Sequence, residues 1–235
     1  MVECCEAPCW QVAAWGAQWF LLLGGTNLVL RAVAERHPEG ILASQVKGGV
    51  FDMKRWQYVL SSFGQGLLQP FFYCTSIHLS GGFAQWWYGA DMNIGVVQYL
   101  AYSVGYFLQD AVVNWRGNSS LVLLHHIVSM SVACWLSTGA EWVGLLLTCA
   151  QCMEFGSLLV AFGDLGVVPR RAGLMALLLT SLLPFVVVAL GVLIAPPRTL
   201  QVWSISFSML VAAFIRCREA QGHLGALVPD GSKLE

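Results

Sequence analysis

The feature that most constrains this chain is a succession of seven apolar runs, each about 18 to 24 residues long and thus able to cross a hydrocarbon layer as a helix. They are read as helices over Trp10–Leu30, Trp56–His78, Ile94–Val113, Ser119–Thr138, Glu141–Gly163, Ala172–Ala195 and Thr199–Arg216. Of 235 residues, 57% are hydrophobic and only 11% charged, more apolar surface than a fold in water covers. The expected fold is therefore all-α, a polytopic membrane bundle of about seven transmembrane helices. A formal net charge of −1 supplies no concentrated basic surface for nucleic acid.

Topology follows from the basic residues. If connections alternate sides, Arg31, Arg36, Lys47, Lys54, Arg55, Arg116, Arg170, Arg171, Arg216, Arg218 and Lys233 share one side. Arg198 alone falls on the other. That asymmetry, read by the positive-inside rule, places the N-terminus outside or in a lumen and the C-terminus in the cytosol. The first run is read as a spanning helix rather than a signal peptide, because Glu3 and Glu6 precede it and no Lys or Arg does. Trp10, Trp56, Trp86, Trp87, Tyr88, Trp115 and Trp142 lie near helix ends and suit interfacial belts. Asn118-Ser119-Ser120 matches a glycosylation acceptor but falls in a cytosolic turn on this topology.

The eight cysteines are too scattered for a disulfide framework, and Cys149/Cys152 is read as helix packing. Cys217 is either an acylation site or a packing residue. Residues 1–51 are expected to hold the first helix and a basic connection, 52–218 a domain of six helices, and 219–235 a disordered cytosolic tail.

Ionisable groups inside a bilayer are costly and face a bundle interior or a wet cavity. Asp110, His125, His126 and Glu154 are such groups, and at 1.5 Å per residue they lie roughly 8 to 14 Å from the cytosolic boundary. Tyr102 and Tyr106 share a helix face with Asp110, and Gly105 between them permits close helix approach. Gln151, Glu154 and Ser157 share another face. Adjacent histidines point about 100° apart, so one is expected to react or bind and the other to orient a helix. Asp110→Leu is expected to destabilise the bundle or abolish function far more than Asp164→Leu near a helix end. No metal is expected, since ligands at helical spacings of three or four are missing.

Three runs on successive helices carry a resemblance: Gly105-Tyr106-Phe107-Leu108-Gln109-Asp110, Leu123-Leu124-His125-His126-Ile127-Val128, and Met153-Glu154-Phe155-Gly156-Ser157-Leu158-Leu159. In order and spacing they are similar to the TLC domain family, which includes the ceramide synthases. The likeness covers roughly residues 52–216, and Lys54-Arg55-Trp56 with Ser61-Ser62 fits it. Glu154 and Gln151 stand where ceramide synthases carry an aspartate pair, and Gly64-Gln65 where many members have a histidine. The chain thus resembles the branch outside the ceramide synthases.

The resemblance implies a role in lipid metabolism or membrane-lipid homeostasis at the endoplasmic reticulum or another endomembrane. It implies catalytic His125, His126 and Asp110, with Tyr102, Tyr106, Gln151, Glu154 and Ser157 supporting or binding substrate. Imidazole can remove an amine proton or attack a thioester, so an acyl-CoA would serve as co-substrate without a bound cofactor. The connection from Arg31 to Arg55 would hold the carrier's phosphates. Membrane lipids or fatty acyl chains are the expected partners, with or without homo-oligomerisation. Two rivals stay open: a non-catalytic lipid-binding, membrane-composition or cargo-escort protein, and a seven-helix receptor. A retinal pump is disfavoured because Thr199–Arg216 holds no lysine.

Overall fold

Each apolar run becomes a helix in the computed structural model, which describes residues 9–46, 54–88, 92–113, 120–138, 142–194 and 199–226. The helices are α1 (Cys9–Arg36), α2 (Arg55–Phe63), α3 (Gln69–Leu79), α4 (Phe83–Tyr88), α5 (Ile94–Val113), α6 (Ser120–Leu136), α7 (Val143–Asp164), α8 (Arg170–Ile194) and α9 (Leu200–Ala226). Four of them, over Trp10–Arg36, Val143–Asp164, Arg170–Ile194 and Leu200–Ala226, are long and apolar enough to cross a membrane. The architecture is all-helical among the described residues and consistent with an integral membrane protein. The Asn118 acceptor, the 51/52 boundary and Trp115 lie outside the described residues.

α2 and α3 are one continuous helix interrupted by a π turn at Gly64–Leu68. Pro70, near the start of α3, has no N–H to donate and crowds the preceding turn. The wider turn accommodates it, with the Gln69 N–H bonded to the Gly64 carbonyl. Gly64 meets the Tyr102 hydroxyl where any side chain would stand.

α5, α6, α9, α7 and α3 enclose the interior, α1 packs on the outside of α5, and α8 packs against both α7 and α9. The N-terminal helix thus joins the bundle rather than standing apart from it. Gly105, on α5, sets that contact: an added Cβ would lie 2.6 Å from Trp19 Cβ and 2.7 Å from the Gly16 carbonyl. On the same interface Trp19 Nε1 donates to Gln98 Oε1 at 3.1 Å. Between α7 and α8, Gly156 faces Leu177 and Thr180 while Gly173 faces the Leu159 carbonyl. Such small-residue contacts give membrane helices their close packing when lipid and side chain are equally apolar.

The structure corrects two expectations. Residues 219–226 are not a disordered tail, because α9 continues to Ala226. Ala220 is fully buried and Leu224 packs beside it against Val160, Leu174 and Leu177, so an apolar stripe draws the helix onto α7 and α8. Cys217 is buried within this stretch of α9 and not exposed for acylation. Of the tryptophans expected in an aromatic belt, Trp10 is exposed, but Trp56, Trp86 and Trp142 are buried. Trp86 on α4 stacks edge-on against Tyr73 at 4.9 Å and covers Gly144, folding the short α4 back onto the bundle. Cys149 lies in the central apolar core, as packing requires.

Replacing Gly105 with Val should force α1 away from α5 and lower stability by about 1–3 kcal/mol. A fall in the unfolding temperature of detergent-solubilised protein checks this, with Gly24→Ala, whose surroundings are open, as the silent comparison.

Candidate functional site

Antiparallel α5 and α6 bring Asp110 and His126 together, with His126 Nε2 3.5 Å from Asp110 Oδ2. Both side chains are largely buried, and the contact bridges two successive helices. His126 Nδ1 has no partner. Phe107, one turn before Asp110, packs on both histidines, with ring centroids 5.7 Å from His125 and 5.2 Å from His126. The expected divergence of the two rings is present: His126 turns toward Asp110, whereas His125 lines an interior cavity.

That cavity contains about 610 Å³ of unfilled space, part of it open to the outside. Its α6 wall consists of His125, Val128, Ser129, Val132, Ala133 and Leu136. Those positions repeat at three and four residues, a single helix face that extends for roughly 16 Å. Leu100, Leu147 and Ala150 complete an apolar end, while Phe107, His125 and Glu154 also contribute to the lining. An elongated apolar space with a few polar groups is the usual form of a small-molecule site.

Glu154 is buried on α7 and accepts a bond of 2.9 Å from Gln65 Nε2. Gln65 lies in the π turn, a kind of irregularity that recurs at functional sites. Gln65 is thus the partner of Glu154. One turn on, Ser157 accepts a bond of 2.8 Å from Arg216 Nη2, which also donates to the Met153 carbonyl. Arg216 Nε is buried and has no partner. The guanidinium is within electrostatic reach of both Glu154 and His125, yet no ion pair within 4.0 Å is formed with Glu154.

The remaining expected residues scatter in role. Tyr106 shares a hydrogen bond of 3.1 Å with Ser61 Oγ and so ties α5 to α2. The Tyr102 hydroxyl is buried without a partner over Gly64, and its ring stacks with Tyr106. Gln151 Oε1 is likewise buried without a partner, and Gln151 does not line the cavity. Asp164, expected to matter far less than Asp110, is as firmly held. Its side chain is fully buried, accepts a bond of 2.8 Å from the Tyr58 hydroxyl and lies 3.5 Å from Arg170 Nε. It locks α2 to the α7–α8 connection.

Arg216 was counted in the sequence as a cytosolic charge. Helix α9 continues beyond it, and position 216 turns toward α7 instead of water. The legible signal was that Ala213, Arg216 and Ala220 lie three and four apart, which puts Arg216 on the packed face. Gln69, Tyr99, Met209 and Ala212 are further cavity residues without a motif to announce them.

Asp164→Leu should destabilise the bundle as much as Asp110→Leu, by about 3 kcal/mol or more, since each leaves a buried partner stranded. Thermal unfolding of both variants in detergent, beside Arg171→Leu at an exposed position, measures the comparison. No protein-family model, no curated protein and no solved structure matches this chain.

Proposed function

We propose that this chain is a multi-pass TLC domain protein of lipid metabolism, which holds an acyl chain in its interior cavity and transfers the acyl group from coenzyme A to an acceptor. The observation that carries the reading is the length and polarity of the cavity. A slot walled by one face of α6 for roughly 16 Å fits an extended hydrocarbon chain of about 13 bonds, at roughly 1.2 Å per bond. His125 and Glu154 stand where the chain's polar end would need them.

Seven spans are part of this reading, beyond the four helices that are long and apolar enough on their own. The joined α2 and α3 cover Arg55–Leu79, and α5 is 20 residues long, each sufficient for a bilayer about 30 Å thick. With the N-terminus lumenal, the His125 end of the cavity faces the cytosol, where an acyl-CoA arrives. An endoplasmic reticulum membrane fits that supply.

The chemistry assigns different tasks to the two histidines. His125 faces the chain and removes a proton from the acceptor's amine or hydroxyl as that atom attacks the thioester carbonyl. The carbon–sulfur bond then breaks, and the departing thiolate takes up the proton that His125 has received. To Arg216, whose Nε is unpartnered behind the cavity wall, this reading assigns the stabilisation of negative charge developing on the carbonyl oxygen. His126 and Asp110 form the positioning pair, holding α5 against α6 so that Phe107 and His125 keep their geometry.

Purified protein supplied with a labelled acyl-CoA should release free thiol in the presence of a membrane-derived amine or alcohol acceptor. His125→Ala should lower the rate by at least about 100-fold, and Arg216→Gln by about 100-fold. In cells lacking the protein, wild type should restore an acyl-lipid change that His125→Ala does not. Rescue by both would assign the cavity to lipid binding or escort without catalysis.

A further inference from the structure

The cavity is apolar over most of its wall, but two of the residues that line it carry a buried polar atom without a partner. Tyr99 on α5 and Gln69 on α3 are 2% and 1% exposed, and both line the cavity. The Tyr99 hydroxyl and Gln69 Oε1 are buried without a hydrogen bond. Neighbouring polar groups are already committed: Ser103 Oγ donates to the Tyr99 carbonyl, Ser208 Oγ to the Ser204 carbonyl, and Glu154 accepts from Gln65. A pure hydrocarbon filling the slot would leave both orphans unpaired, at a cost that apolar packing alone would not require.

We infer that the cavity selects an acyl chain bearing a hydroxyl near its middle, bonded by Tyr99 and Gln69; this rests on the acyl-chain reading above. The complementarity is chemical. Gln69 Oε1 only accepts, whereas the Tyr99 hydroxyl can donate, and a secondary hydroxyl answers both at once. A ketone, which only accepts, would leave Gln69 Oε1 unpaired. An ordered water can make the same two bonds, but a hydroxyl replaces that water without loss while a methylene does not. Discrimination therefore has the same sign whether the site starts dry or wet.

Position follows from the helix. Phe107, which packs on His125, precedes the carbonyl end of the chain, and Tyr99 lies two turns farther along α5 toward Ile94. Eight residues correspond to roughly 12 Å, or about ten bonds of extended chain. The hydroxyl belongs near the tenth carbon, well away from the second.

The test uses the full-length protein in lipid nanodiscs and a labelled unsubstituted hexadecanoate as probe. The competitors are unsubstituted hexadecanoate, 2-hydroxyhexadecanoate and 10-hydroxyhexadecanoate. The 10-hydroxy chain should compete about ten-fold better than either of the others. Tyr99→Phe and Gln69→Leu, close to the native side chains in size, should each erase that advantage while keeping or tightening binding of the unsubstituted chain, which also shows that the variants fold. Equal competition by all three chains, or an advantage that survives both substitutions, overturns the inference and leaves the acyl-chain site standing. Failure of the labelled hexadecanoate to bind wild type overturns the acyl-chain reading and this inference with it.

Discussion

Polar side chains inside an apolar bundle are costly to leave alone, and here pairs formed between helices tie the bundle together. Asp110 and His126 join α5 to α6, Gln65 and Glu154 join the π turn to α7, and Arg216 joins α9 to Ser157 on α7. Lesser bonds continue the circuit, with Tyr73 and Thr148 linking α3 to α7 and Gln201 reaching the end of α6. Each bond is modest, about 0.6 kcal/mol on average for such pairs in membranes. Breaking one costs more than making it contributes, because the abandoned partner stays buried. The polar residues act mainly by excluding other arrangements of helices that are, in apolar terms, nearly equivalent.

The glycines set how close those helices come. Gly105 lets α1 seat on α5, and Gly156 with Gly173 lets α7 meet α8. Close seating of α1 and α8 on the outside leaves α3, α5, α6, α7 and α9 to surround the cavity. Packing and cavity share the same helices: α5, seated against α1, bears Tyr99, and α7, seated against α8, bears Glu154.

Much of this was legible in the sequence, because lengths of apolar runs and the cost of buried charge are strong, local signals. The spans of α5 and α7 are close to those expected, and the pairing of Asp110 with one histidine follows from two groups at matching depth on adjacent helices. The rest depended on the partner across a helix interface. Arg216 looked like one more cytosolic charge until α9 proved longer than its most apolar stretch. Asp164 looked peripheral because its distance from a helix end is a local fact, whereas Tyr58 is 106 positions away in the chain. Trp86 and Trp142 fit an interfacial belt by position, but Gly144 and Gly191 leave the spaces that their rings fill. Gln65 registered only as a departure from a pattern, and its meaning came from Glu154.

The π turn at Gly64–Leu68 also fixes the arithmetic of the chain. A wide turn holds one residue more than a regular turn would, so closing it to a regular spiral at the same chain length would rotate everything before it by up to about 100°. Tyr58 would swing from Asp164 and Ser61 from Tyr106, although no side chain that makes either bond had been altered. The shape of one turn, not only the identity of the residues, thus sets the phase of this segment: α2 keeps its partners only while the turn stays wide.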